Sequence, residues 1–256
     1  MRGPTVGGRG PTVSARGVDY AAIPDAAVYR WTLDDVSSGT VTDSIRNADG
    51  TVNGVTSVSG NYQGGSAGQG DGSSEDIVIP AADVDSDGAV FNAGISIGFT
   101  IDGYSAPSNT EAAVGNLTSV NNQEGISCQF NSNTAGDIVF GRGDGSNGGP
   151  FVASQSAVIT DISKYRIFMG IGSGGSESDV RLFADSSELS TTTTYSGTAS
   201  NFTGFTDDLR LFATTDKTAG SGHSYANAII DDVIFYAAEP TPTLAQSDYD
   251  LQPWTA

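Results

Sequence analysis

Ile95, Ile97, Phe99 and Ile101 alternate without a break with Ser96, Gly98, Thr100 and Asp102. A strict period of two puts four large apolar side chains on one face of a strand, whereas a helix would scatter them around its circumference. The chain must therefore bury one face of a sheet, and other segments repeat the demand in shorter pieces. VYRWTL alternates in the same way, with Tyr29, Trp31 and Leu33 on one side, and stops at Asp34-Asp35. Val52, Val55 and Val58 predict a weak second strand, and Ile77, Val78 and Ile79 a third. GISCQF, GDIVF, KYRIFMGIG, DVRLFA, DDLRLF and IIDDVIFY follow, parted by turn-rich linkers, while helical periodicity is nearly absent. With 34 Gly and 37% apolar residues among 256, the pattern predicts an all-β chain of many short strands. No apolar run approaches the roughly 18 residues that a membrane-crossing helix needs.

Charge narrows the setting. There are 24 Asp and 6 Glu against 9 Arg and 2 Lys, a formal net of −19. Such a surface repels itself at low ionic strength and stays soluble when salt screens the field. The Asp excess and scarce Lys resemble proteins of extremely halophilic archaea; an ordinary acidic surface domain is the alternative. Nucleic acid is excluded as a partner, because phosphate binding needs a basic footprint. Cys128 is the sole cysteine, so no intrachain disulfide forms, and within GISCQF it reads as a small buried apolar residue. Met1-Arg2 is not followed by the apolar core of a secretory signal, so no export leader and no transmembrane segment are expected.

Residues 2–22 repeat every seven positions as RGPTVGG, RGPTVSA and RGVDYAA, placing arginines at Arg2, Arg9 and Arg16. Pro4, Pro11 and the flanking glycines exclude a helix, so this period is not a coiled coil. An extended basic arm on an acidic body is suited to docking across an acidic neighbour, including another copy of the chain; a loose terminus is the alternative.

The order of aromatic-rich strand, TVTDS, NADGTVNG, Gly-rich turn and EDIVIP, with IDDVIFY (Ile230 to Tyr236) near the far end, resembles a laminin-G-like, concanavalin A-like jelly roll. The resemblance implies an antiparallel β-sandwich over residues 26–238, between an arm over 1–25 and a Pro-rich tail over 239–256. It also implies a habit of binding glycans or protein surfaces outside cells, without naming a ligand. Asp185-Ser186-Ser187 stands where the family usually has Asp-Gly, which leaves that hairpin open. The tail, with Tyr249, Leu251 and Trp254, either folds back on its own sandwich or hooks into a neighbour.

Asp83-Val84-Asp85-Ser86-Asp87-Gly88 carries the alternating carboxylates and glycine of a calcium loop, and Asp83, Asp85 and Asp87 are the candidate Ca2+ ligands. Gly94 occupies the position where an EF-hand needs a bidentate Glu, so the loop is not an EF-hand. Calcium sites do occur in domains of the family it resembles. Arg142-Gly143-Asp144 reads as turn chemistry, and His223 as a loop residue without a nucleophile elbow. Asn116 and Asn201 head glycosylation sequons. Related jelly rolls with hydrolase activity carry E-x-D-x-x-E on one strand, which this chain lacks, and Asp231 and Asp232 as strand neighbours would point to opposite faces. The expectation is a non-enzymatic protein with no catalytic residues.

A sandwich of a type used outside cells, no leader, a repeated basic arm and a halophilic charge balance together fit a virion structural protein of a virus of halophilic archaea: a turret, spike or tail-fibre subunit. Its partners would be other virion proteins through the arm, copies of itself in a symmetric homo-oligomer, and host surface glycans at the outward head. A cellular carbohydrate-binding or adhesion domain is the alternative, and a glycoside hydrolase relative the third reading.

Overall fold

The computed structural model describes residues 23–251 apart from 61–64, 86–88, 103–110, 118–123, 131–135, 146–148, 160–163, 200–201, 203, 206 and 215–223. The basic repeat, Asp87, His223, Asn201 and Trp254 therefore lie outside the described residues.

The alternation in VYRW does what it predicts. Tyr29 and Trp31 turn inward from the strand Ala27–Trp31, their rings stacked at 5.8 Å, and Phe235 meets Trp31 edge-on at 5.6 Å. Trp31 is fully buried, and its indole N–H donates to the Ala48 carbonyl at 2.7 Å. The TVTDS motif has a structural task. Asp43 Oδ1 accepts from the backbone N–H groups of Arg30 (2.8 Å) and Ile45 (3.1 Å), and Oδ2 from those of Arg46 (2.7 Å) and Ala48 (3.2 Å). One buried carboxylate thus organises the whole 43–49 loop around the tryptophan.

Two antiparallel sheets enclose the core. In the eight-stranded sheet, Gly94–Asp102 lies between Tyr165–Gly172 and Ile229–Tyr236. Val180–Ala184 and Ser187–Glu188 continue one side, and Ser66–Gln69 and Thr56–Ser59 the other. The nine-stranded sheet runs Thr191–Tyr195, Phe151–Ser154, Ile138–Asp144, Glu124–Phe130 and Glu111–Gly115, then Leu209–Leu211, Asp76–Ile79, Gly50–Asn53 and Thr40–Val41. Ile95, Ile97, Phe99 and Ile101 face Cys128, Phe130, Ile138 and Phe140 across one continuous apolar core. No helix among the described residues is long and apolar enough to cross a membrane.

Three local expectations are corrected. The Val52–Val58 segment is two strands in different sheets, because Gly54 takes φ +76° and turns the chain between them. GRGD belongs to the strand Ile138–Asp144 and not to a flexible turn. Ile229–Tyr236 carries a bulge between Asp231 and Ile234, with Asp232 at φ +47°. Two residues instead of one separate the inward side chains Ile230 and Val233, so Asp231 and Asp232 do not alternate between faces. The bulge is also a fork. Before it the strand pairs with Ser66–Gln69, and after it with Ala27–Trp31, where Ala27 lies opposite Tyr236 and the Ala237 N–H donates to the Ala26 carbonyl at 2.9 Å. The open question at Asp185 is resolved: Asp185 (φ +48°) and Ser186 (φ +63°) form a two-residue hairpin of the left-handed kind that strand twist favours.

The tail folds back on its own sandwich as a helix, Pro242–Asp250. Thr241 caps it, its hydroxyl accepting from the Leu244 N–H at 3.2 Å, and Pro242 sits at the first helical position, where no N–H is needed. Ala245 and the following Leu251 pack on Phe168, Phe183, Ile234 and Tyr236, the outward side chains of the eight-stranded sheet.

Candidate functional site

That helix decides which face of the sandwich is closed. Asp248, fully buried, receives Arg166 as a fork, Nε to Oδ2 at 2.7 Å and Nη2 to Oδ1 at 2.6 Å, and the Tyr236 hydroxyl donates to Oδ1 at 2.6 Å. Arg166 Nη1 also donates to the Asp232 carbonyl at 2.7 Å, and Asp232 Oδ1 accepts from Arg30 Nε at 2.7 Å. Burial would lower the Arg166 pKa, but the Asp248 carboxylate overrides it and holds the guanidinium charged. Gly98 lies directly beneath, where a Cβ would fall inside the Asp248 carboxylate. The helix closes the centre of the outer face of the eight-stranded sheet.

The outer face of the nine-stranded sheet is built differently. The registers set one row across it: Thr51, Val78, Arg210 and Gly115, then Ser127, Gly141, Phe151 and Tyr195. Its centre is made of small residues. Gly115, Ser127 and Gly141 are buried, and the Phe151 ring lies where a side chain at Gly141 would be. Accessible groups stand at the two ends. At one, Tyr195 is 42% exposed beside the half-buried Phe151. At the other, Arg210 Nη1 pairs with Asp76 Oδ2, and Asn53 Nδ2 donates to Asp76 Oδ1 at 2.8 Å. Tyr225 stands within their field: burial pushes its hydroxyl pKa up, Asp76 and Glu75 add to this, and Arg210 opposes it. Arg210 Nε is buried with no acceptor among the described residues.

None of these residues was singled out in the sequence. The signal that could have found them is a polar residue inside an apolar run, Arg210 within LRL and Asp76 before IVI, which marks the outward positions of a half-buried strand. The residues that were singled out lie elsewhere. Asp85 turns inward, its two carboxylate oxygens each 3.1 Å from the Val90 N–H, while Asp83 is exposed. Among the described residues no group of three or more His, Cys, Asp or Glu is placed to hold a metal ion. Arg142 is buried with its guanidinium 5.0 Å above the Phe202 ring, which takes the arginine of the RGD tripeptide off the surface. Asn116 is fully buried, accepting from the Ile126 N–H at 2.9 Å, and is closed to glycosylation in the fold. Cys128 is buried in the core, and burial pushes its thiol up, away from nucleophilic use.

Two carboxyls, one of them in the Asp231-Asp232 pair, are buried more deeply than the sequence indicates. Burial pushes Glu111 up to about 7, against the pull of a 2.9 Å hydrogen bond from the Asn227 N–H. Burial, with Asp232 and Asp34 adding to it, pushes Asp231 up to about 8, and its Oδ2 has no hydrogen-bond partner among the described residues.

No sequence-family profile and no curated protein sequence matches the chain. Solved structures do. Domain 4 of AbnA, a GH43 extracellular arabinanase from Geobacillus stearothermophilus, solved with arabinotriose, matches with TM-score 0.60 and 15% identity over 88% of this chain and 99% of that one. The fold is a concanavalin A-like jelly roll. Trypanosoma rangeli sialidase, solved with sialic acid, matches this jelly roll with TM-score 0.61 and 12% identity over 93% of this chain but 35% of that one. The binding domain of botulinum neurotoxin DC, in complex with SialylT, matches with TM-score 0.60 and 15% identity over 90% of this chain and 52% of that one. The jelly roll thus spans about a third of the sialidase and half of the toxin domain.

Proposed function

We propose that this chain is a non-enzymatic glycan-binding domain and that it binds through the outer face of the nine-stranded sheet. One observation carries the reading. Of two outer faces, one is closed by a helix held through a buried ion network, and the other presents aromatic rings and a polar cluster at opposite ends of a single row. Rings that stack on sugar C–H groups and planar polar side chains that exchange hydrogen bonds with hydroxyls are what saccharide recognition requires. Jelly rolls solved with arabinotriose and with SialylT support the choice of ligand class. The non-enzymatic part rests on the missing E-x-D-x-x-E motif and on Asp76, the buried carboxylate of the polar cluster, being paired with Arg210.

The test is binding of labelled protein to halophilic cell envelopes before and after glycan removal, in molar salt. Binding that disappears with the glycans, and also in a Tyr195→Ala variant that stays folded, supports the reading. Binding that survives both sinks it. The setting, a surface subunit of a halophilic virus particle, is proposed on composition and on the Arg2, Arg9 and Arg16 repeat alone. Deleting residues 1–22 should abolish assembly into oligomers or particles and leave the sandwich folded; an unchanged native mass would count against it.

A further inference from the structure

We infer that the ligand of the nine-stranded face is an uncharged saccharide, recognised without an ion pair; this rests on that face being the glycan surface. Among the described strand residues, Arg210 is the one cation that the registers put on this face. Its charge is already matched, because Asp76 holds the guanidinium and is itself fixed by Asn53. Glu75 precedes Asp76 in the chain, and both raise the affinity of the Tyr225 hydroxyl for its proton, so the local field is negative despite the arginine. A carboxylate or sulfate arriving here would meet Asp76 and Glu75 with no unpaired cation among the described residues to receive it, and an unpaired charge pressed against a half-buried surface is strongly disfavoured.

The other end of the row disfavours anions for a separate reason. It carries Phe151, half-buried with its ring over Gly141, and Tyr195, 42% exposed, and aromatic rings carry a negative face that attracts C–H groups and cations. The net charge of −19 adds a repulsion that acts before contact. Both ends therefore accept hydroxyl and C–H groups and exclude acidic sugars.

A printed array that pairs each neutral oligosaccharide with its sialylated, sulfated or uronate-bearing form tests this, read at about 0.15 M salt where charges act over about 8 Å. The parent should bind neutral members and lose about tenfold or more in affinity for their acidic partners. Two variants should narrow that gap. Asp76→Asn frees the Arg210 charge, and Thr51→Lys adds a cation at an exposed position of the same row without touching the core. Equal or stronger binding of the acidic members by the parent would overturn the charge inference and leave the face intact. A folded parent that binds no member of the array would overturn the glycan reading itself.

Discussion

The two outer faces of this sandwich solve the same problem in opposite ways. On the eight-stranded sheet, Arg166 and Asp248 are buried as an ion pair, and the face is shut by the helix that brings Asp248. On the nine-stranded sheet, Arg210 and Asp76 form a similar pair, yet the Arg210 side chain keeps 21% of its exposure and no described helix covers it. A charge pair under a lid serves to fix one element on another, whereas a similar pair left partly exposed shapes what can approach. The acidic composition is therefore not a uniform coat. Part of it locks the fold, and part of it filters ligands.

Removing one partner of a buried pair strands the other, so Asp248→Ala should destabilise by about 3–5 kcal/mol in chemical unfolding at constant high salt. Joint replacement, Arg166→Met with Asp248→Leu, should recover most of that loss, and a double variant no more stable than either single one would show that the pair is not a unit. Next comes the glycine beneath the lid. Gly98→Ala forces a methyl group into the Asp248 carboxylate and should lose about 1–3 kcal/mol. Gly141→Ala first meets the Phe151 ring, a side chain that can shift, so it should lose less stability and weaken ligand binding.

A pH-dependent effect lies at the fork. The Asp231 carboxyl is raised from 3.8 to about 8 in the fold, so the folded state holds a proton that the unfolded state releases. Its contribution to stability is therefore present below pH 4 and is lost as pH rises through about 8. Asp231→Asn should flatten the stability profile across that window and gain most at its alkaline end; a profile parallel to the parent's would rule the group out. At the small end stands Tyr195→Ala, which should change stability by less than about 0.5 kcal/mol. It should nonetheless reduce glycan binding by about tenfold.

Much of the fold is legible where periodicity and motif agree. Tyr29, Trp31 and the run from Ile95 to Ile101 announce their faces because every second residue is large and apolar, and Asp43 and IDDVIFY mark fixed corners of a jelly roll. Reading fails where backbone geometry overrules pattern. Gly54 splits one apparent strand into two sheets, and the bulge at Asp231-Asp232 slips the alternation by one residue, neither of which changes the composition of its segment. The candidate site was illegible for another reason. Arg210, Asp76, Asn53 and Tyr225 come from four separate segments, and only the folded chain brings them together beside one end of the row. The Asp83–Asp87 spacing stands out in the sequence, yet Asp85 turns into the protein to cap a turn.

The fork in the last strand also sets how the molecule bears a load. Ala27 and Tyr236 face each other at the end of their antiparallel ladder, so tension applied across these two residues would part the hydrogen bonds in succession, like a zip. Tension carried past Tyr236 to the helix instead reaches Arg166 and Asp248, which resist it together. A head that holds a surface while being pulled from its own body would thus depend less on its longest strands than on the clip that closes its back.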